Sequence, residues 1–175
     1  RVLGVLGVVL MAGALSGAFV LPADQQGVVL RLGKVVRSVQ EAGLYFKIPF
    51  MDTLVRYPKR LLEYDAAPVA VVTSDKKNLV FDSIAVFQIH DPDLFYRTIR
   101  TVEAAQQRLD DSVYAAVRIV AGKATFDDLI FNTRDQSLVE ATVATNNQTK
   151  GYGVEVLRVA FKRVSLPEEN EDAVY

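Results

Sequence analysis

An uncharged stretch at the start of the chain constrains its fold more than any other feature. From Val2 to Leu21 there are twenty consecutive residues without a charged side chain. As an α-helix this stretch is about 30 Å long, which matches the hydrocarbon core of a bilayer. Arg1 precedes it, and the next basic residue is Arg31. We therefore expect a single transmembrane helix from Val2 to Leu21, with a cytoplasmic N-terminus and an extracytoplasmic main domain.

A cleaved signal peptide is the alternative interpretation of this stretch. Ala12-Gly13-Ala14 and Ser16-Gly17-Ala18 both have the small residues of a cleavage site. We favour a retained anchor, because the stretch is present in the chain. Gly13 and Gly17 also have the spacing of a helix–helix contact motif, but glycine is common in membrane helices in any case.

Composition restricts the function classes open to the rest of the chain. The 175 residues include no Cys and one His, and the formal net charge is −1. These counts exclude a disulfide framework, a thiol nucleophile, a site of several histidines and a basic nucleic-acid binder. Half of the residues are hydrophobic and 23% are charged, which excludes a disordered chain.

Beyond the uncharged stretch, the sequence predicts an α+β domain. Apolar alternation and turn residues indicate strands over Gln26–Leu32, Val35–Val39, Thr53–Tyr57, Leu61–Tyr64, Val69–Thr73, Leu79–Ile89 and Val154–Val164. Caps and helical spacing predict helices from Asp91-Pro92 to about Ile99, from Val102 to a stop at Gly122, and from Thr133 to about Lys150, with Gly151 ending the last. We expect the core to contain Leu79, Phe81, Ile84, Val86, Phe87, Leu109, Val113 and Val117.

The predicted elements divide the chain into four parts. Residues 1–22 are the expected anchor, residues 23–78 a membrane-proximal β-rich part, and residues 79–166 an α+β part. Residues 167–175 begin a further helix, because Pro167 is followed by two acidic residues in the first turn. We expect this helix to continue beyond Tyr175.

A short apolar segment after the second predicted strand has two interpretations. It consists of Leu44, Tyr45, Phe46, Lys47, Ile48, Pro49 and Phe50. Three aromatic rings and one lysine suit a membrane surface, where rings lie at head-group level and a lysine reaches phosphates. Aromatic runs also pack inward as plain core, and the two interpretations carry equal weight. We predict that this segment contacts the membrane surface.

No residue pattern predicts catalytic, metal-binding or cofactor-binding residues. The glycine motifs of phosphate-binding and dinucleotide-binding loops are missing. His90 lies beside two aspartates, but so tight a local cluster rarely encloses an ion. Ser74 and Lys76 would be a nucleophile and base only if the lysine were desolvated, whereas a lysine in a polar turn stays hydrated and protonated. We therefore expect no enzyme activity and no cofactor.

Several stretches in the same order and spacing resemble the SPFH (stomatin/prohibitin/flotillin/HflK-HflC) or band 7 superfamily. These stretches are Gln26–Lys34, Gly43–Phe50, Thr73–Asn78 and His90–Pro92. Arg108–Tyr114 and the segments Leu166–Glu169 and Ala173–Tyr175 are most similar to the HflC branch of this superfamily. Two positions depart from the family pattern: Ala42 stands where Pro is frequent, and Asn170 replaces an apolar or small residue.

The resemblance implies a non-catalytic scaffold in the bacterial inner membrane. Proteins of the HflC branch assemble with an HflK-type subunit into a large ring or cage that regulates the FtsH membrane protease and membrane-protein quality control. The implied partners are thus an HflK-like subunit, an FtsH-like protease and membrane lipids, in a hetero-oligomer without nucleic acid. The helix from Pro167 would continue as a coiled coil. The alternative is a stomatin-like organiser of lipid microdomains without a protease partner.

Overall fold

The computed structural model of the chain describes residues 17–129 and 134–165, in which seven strands are followed by three helices and a last strand. In chain order they are β1 (Ala18–Leu21), β2 (Gln25–Arg31), β3 (Lys34–Val39), β4 (Gly43–Phe46), β5 (Asp52–Pro58), β6 (Leu62–Val72), β7 (Asn78–Ile89), α1 (Pro92–Thr98), α2 (Val102–Lys123), α3 (Arg134–Thr149) and β8 (Val154–Ser165), with a short 3-10 turn at Lys150–Tyr152. The predicted α+β class is confirmed. The two strands predicted over residues 61–73 form the single strand β6, with a bulge between Ala66 and Val69.

The described strands form three antiparallel sheets. Strand β1 pairs with β4, β2 lies between β3 and β5, and β7 lies between β6 and β8. Strands β6 and β7 therefore belong to one sheet, although the predicted division at residue 78 falls between them. The residues between Pro58 and Leu62 connect the β3–β2–β5 sheet to the β6–β7–β8 sheet.

The main core lies between the β6–β7–β8 sheet and helices α2 and α3. Strand β7 alternates strictly, so that Leu79, Phe81 and Phe87 are buried against the helices. Ile84 and Val86 point to the other face of the sheet and are only half-buried, so their prediction as core residues is wrong. Helix α2 buries the predicted stripe that contains Leu109, Val113 and Val117.

The helix ends differ from the predictions at two glycines. The Asp91 side chain caps α1 as predicted, accepting hydrogen bonds from the amides of Asp93 and Leu94. Helix α2 runs through Gly122 and ends at Lys123. After α3, the left-handed residue that turns the chain into β8 is Gly153, with φ of 73°, rather than Gly151.

The prediction that a membrane helix extends to Leu21 is wrong. Ala18–Leu21 forms strand β1, in which Val20 pairs with Leu44 and Leu21 pairs with Gly43. Leu21 is 1% exposed, because it packs in a second small core with Phe19 and residues of β2 and β3. No helix within residues 17–129 and 134–165 is long and apolar enough to cross a membrane. Residues 2–16 of the predicted anchor and the predicted helix from Pro167 lie outside the described residues.

Candidate membrane-contact site

The two-stranded β1–β4 sheet has one buried face and one exposed face. Its buried face carries Phe19, Leu21 and Tyr45, which pack over the β3–β2–β5 sheet at Val29 and Val39. The rings of Phe19 and Tyr45 stack with centroids 5.8 Å apart. Since paired residues in a β-sheet lie on the same face, the neighbouring pair of Val20 and Leu44 faces the opposite way. The small sheet is thus a lid with an outer surface of its own.

The outer face of this lid is apolar and exposed. Val20, Leu44 and Phe46 are each more than 60% exposed. The loop after β4 continues the same character with Ile48, Phe50 and Met51, all exposed. These six residues, Val20, Leu44, Phe46, Ile48, Phe50 and Met51, are called the apolar surface below. Contiguous exposed apolar residues of this kind mark contacts with other proteins or with membranes.

The loop holds Phe50 away from the protein at a conformational cost. Phe50 is fully exposed and has φ of 66°, a left-handed conformation that costs roughly 1–2 kcal/mol for a residue with a side chain. The loop is closed by Asp52, whose carboxylate accepts a hydrogen bond from the Ile48 amide at 2.8 Å. The unusual backbone conformation and the fully exposed ring together make Phe50 a candidate for a contact outside this chain.

Asp52 is fixed by Arg31 from the neighbouring strand. The Arg31 Nε and Nη2 atoms donate to the two carboxylate oxygens at 2.8 and 3.1 Å. The hydrogen bond from Arg31, and next that from the Ile48 amide, lower the pKa of Asp52, so the carboxylate is charged at neutral pH. The loop is therefore anchored by a charged pair at its base.

A further exposed apolar residue, Leu32, lies at the same end of the β3–β2–β5 sheet as the Arg31–Asp52 pair. Arg31 and Asp52 are partners across β2 and β5, so Leu32 and Met51 leave the sheet side by side. Leu32 is 82% exposed at a hairpin turn and has φ of 50°, followed by Gly33 with φ of 81°. Leucine is an unusual choice at such a turn position, and that mismatch is the sequence signal by which it can be recognised.

Cationic side chains border the apolar surface. The Arg37 Nη2 atom donates to the Phe46 carbonyl at 3.0 Å, and its guanidinium lies 5.5 Å from the centre of the Tyr45 ring. Lys47, Arg37 and the Arg31–Asp52 pair line a cleft of about 340 Å³ between the lid and the sheet beneath it. A rim of positive charge around exposed apolar side chains is typical of surfaces that bind anionic membranes.

Comparison with known proteins identifies the family of this fold. The model of the SPFH domain / Band 7 family matches residues 19–174, which include every described strand and helix except the first residue of β1. The chain belongs to the SPFH domain / Band 7 family.

Several proteins named HflC are similar to this chain over most of its length. The chain is 30% identical to Protein HflC of Haemophilus influenzae over 95% of its length, and 24% identical to Protein HflC of Treponema pallidum over all of it. It is 26% identical to the Modulator of FtsH protease HflC of Escherichia coli (strain K12) over 90% of its length. The chain spans 66%, 60% and 61% of the Treponema, Haemophilus and Escherichia proteins, respectively.

The residues considered for catalysis or metal binding do not form a site in the described part of this SPFH domain. His90 is 3.7 Å from a Glu155 carboxylate oxygen at the surface, and no three His, Asp or Glu residues of the described part are grouped to hold a metal ion. Ser74 and Lys76 are both exposed in the β6–β7 turn, so Lys76 lacks the desolvation that the nucleophile–base pair requires.

Exposed and half-buried residues alternate along the predicted contact segment of the SPFH domain. Leu44, Phe46, Ile48 and Phe50 are exposed, whereas Tyr45, Lys47 and Pro49 are half-buried. The inward-packing interpretation therefore holds for Tyr45, which packs against the small core, and the membrane contact of the exposed residues stays a prediction. Val20 was not predicted as a contact residue because it lies within the uncharged stretch, and Met51 was not predicted because it follows the apolar segment directly.

Proposed function

We propose that this chain is a non-catalytic, HflC-like scaffold subunit that acts at a membrane and modulates an FtsH-like protease. The protease assignment is supported by the name of the Escherichia coli relative, Modulator of FtsH protease HflC, with which the chain aligns over 90% of its length. The partners and the activity are those of longer proteins, and they come to this chain only through that similarity.

The observation that carries membrane contact is the apolar surface. Six large apolar residues are exposed on the outer face of the lid and on the loop after β4, and this loop is closed at its base by Asp52. Cations at its border would interact with phosphate head groups while the apolar side chains enter the interface. A lid sheet with an apolar outer face therefore acts as the part of the domain that rests on the bilayer.

An anchor in front of β1 would agree with this placement. Any membrane helix in the uncharged stretch has to end before Ala18, since Ala18–Leu21 is strand β1. Such a helix would enter the lid sheet within a residue or two, so the apolar surface would lie at the interface from which the helix emerges. Replacing Val9 by Arg should then lower membrane insertion by a few kcal/mol. Unchanged membrane fractionation after deletion of residues 2–16 would contradict the anchor.

A reporter at the tip of the loop tests membrane contact directly. The chain contains no Trp, so a Phe50→Trp variant has a single fluorophore at the most exposed position. In bilayers that carry acyl-chain quenchers, we expect its emission to be quenched. A Trp at Tyr114, exposed on α2, is the matched control and should remain unquenched. Equal emission from the two reporters in quenching and ordinary bilayers would contradict the contact.

A pull-down in mild detergent with mass spectrometry tests the partners. Recovery of an HflK-like subunit and an FtsH-like protease would support a hetero-oligomeric protease modulator, in which the helix from Pro167 continues as a coiled coil. Recovery of this chain alone with lipid would favour the stomatin-like organiser of lipid microdomains. A control pull-down from cells that lack the protease separates direct binding of the HflK-like subunit from binding through the protease.

A further inference from the structure

The cleft between the lid and the β3–β2–β5 sheet has the chemistry of an anion site that opens onto an apolar surface. Its volume is about 340 Å³, which is at the lower end of the range of small-molecule sites. Three cationic side chains and one carboxylate line it: Arg31, Arg37, Lys47 and Asp52. The formal charge of these four groups is +2, because three positive charges meet one negative charge.

The carboxylate does not make the cleft repel an anion. The Asp52 side chain is 3% exposed, and both of its oxygens are bonded to Arg31 while one also accepts the Ile48 amide. Its charge is therefore neutralised in place. The ion pair occupies only two of the five guanidinium N–H groups of Arg31, and the Arg31 side chain is 40% exposed.

The other two cations are positioned by the lid. Arg37 is oriented by one hydrogen bond to the Phe46 carbonyl and by the Tyr45 ring beneath its guanidinium, which leaves most of its N–H groups for a ligand. The Lys47 amide continues the β1–β4 ladder by donating to the Gly17 carbonyl at 2.8 Å. By strand alternation its side chain lies on the same side as Tyr45, towards the cleft.

We propose that this cleft binds the phosphate of an anionic phospholipid. Arginine and lysine together supply the forked and point-charge donors that phosphate oxygens accept. The cleft is continuous with the apolar surface, because Phe46 and Ile48 belong to both. A free phosphate ion would make no favourable contact with these apolar side chains, whereas the acyl chains of a lipid would pass over them into the bilayer. The proposal rests on the membrane contact proposed above and adds the lipid class.

The test uses the full chain in nanodiscs with the Phe50→Trp reporter. Two bilayers contain the same minor fraction of brominated lipid in phosphatidylcholine, and the brominated lipid is either phosphatidylglycerol or phosphatidylcholine. If the cleft recruits the anionic lipid, brominated phosphatidylglycerol quenches the reporter more strongly. We expect an apparent enrichment of at least about fivefold, which corresponds to the attraction of one or two cations near an anionic head group.

Charge variants show whether the cleft causes the enrichment. Arg37→Gln and Lys47→Gln should each lower it several-fold, and the double variant should bring the ratio towards one. Arg118→Gln removes an exposed cation from α2 and should leave the ratio unchanged. Since Arg37→Gln also removes the hydrogen bond to the lid, Lys47→Gln gives an independent result, and circular dichroism checks the fold of each variant.

The outcomes separate the head-group site from membrane contact itself. Equal quenching by the two brominated lipids, or enrichment that survives in the double variant, would overturn the anionic site while membrane contact stands. No quenching by either lipid would overturn membrane contact and the site together. Loss of enrichment in inorganic phosphate, but not in chloride of equal ionic strength, would support the assignment, because the free ion would compete with the head group for the same cations.

Discussion

Arg31 and Asp52 form a bidentate ion pair at the base of the loop that exposes Phe50. The two hydrogen bonds of this pair are 2.8 and 3.1 Å long, and Asp52 also accepts the Ile48 amide. One carboxylate thus joins the end of β2 to both ends of the loop. Because the bridging residues are 21 positions apart in sequence, the exposed loop depends on correct pairing of β2 with β5.

The first prediction concerns this pair and its pH dependence. Asp52→Asn should lower the melting temperature at neutral pH, because Arg31 loses its charged partner in a largely covered site. The pKa of Asp52 is lowered in the folded state, mainly by the Arg31 hydrogen bond. Its contribution is therefore complete above the ordinary carboxylate pKa of 3.8 and disappears as the pH falls through the lower folded value.

Thermal unfolding followed at a series of pH values measures this effect. The difference between wild type and Asp52→Asn should be largest near neutrality and shrink in acid below about pH 4. Asp24→Asn, at an exposed carboxylate before β2, is the matched control and should melt like the wild type. Identical melting of Asp52→Asn and wild type at every pH would mean that the pair does not hold the loop.

The second prediction compares two glycines. A Cβ at Gly153 would lie 2.4 Å from the Asp91 carbonyl oxygen and 2.8 Å from the Phe95 amide nitrogen, and φ there is 73°. Gly153→Ala should therefore destabilise the domain by at least about 1–2 kcal/mol from backbone strain alone. A Cβ at Gly122, inside helix α2, would meet no atom within 4 Å. Gly122→Ala should therefore stabilise the domain by up to about 1 kcal/mol. Urea unfolding gives both values, and equal effects of the same sign would refute the comparison.

The third prediction tests the two faces of β7 with adjacent residues. Phe87 is fully buried in the main core, whereas Val86 is half-buried on the opposite face. Phe87→Ala should cost about 3–5 kcal/mol, and Val86→Ala roughly 1 kcal/mol. Chemical denaturation of the two variants measures the difference. Comparable losses would indicate that the second face of the sheet is also covered.

Local chemistry made most of the fold predictable. The Asp91-Pro92 cap, the apolar stripe of α2 and the strand pattern of β2, β5 and β7 each depend on neighbouring residues. The faces of β7 were assignable from its alternation, because Asp82 and Gln88 lie on the face opposite Leu79 and Phe81. Ile84 was predicted as a core residue from its apolar character alone, although it shares the face of Asp82.

The candidate site was predictable only in part. Leu44 to Phe50 was recognised from its composition, but its alternation depends on pairing with β1. Phe19, Val20 and Leu21 follow an uninterrupted apolar run, and such residues suit a strand as well as a helix. Their partners are 22 to 26 residues away along the chain, from Leu21 and Gly43 to Phe19 and Tyr45. No local pattern reveals pairing over that separation.

The last prediction tests the reassignment of Ala18–Leu21 from membrane helix to lid strand. A chain that begins at Gly17 keeps β1, whereas one that begins at Asp24 loses it. Phe19 and Leu21 are buried in the small core with Val29 and Val39. Since each large side chain contributes about 1.5–3 kcal/mol on burial, loss of the two should cost roughly 3–6 kcal/mol. That is a large part of the 5–15 kcal/mol by which ordinary domains are stable.

Chemical denaturation of the two shortened chains measures this difference. The chain from Asp24 should unfold at lower denaturant and aggregate more readily, because the covered face of β2 and β3 becomes exposed. A third chain from Gly17 with Val20→Ser is the control, since Val20 lies on the outer face and is 63% exposed. It should retain nearly all of the stability. If the chains from Gly17 and Asp24 were equally stable, β1 would contribute nothing to the soluble fold, and its residues would again be available to a membrane helix.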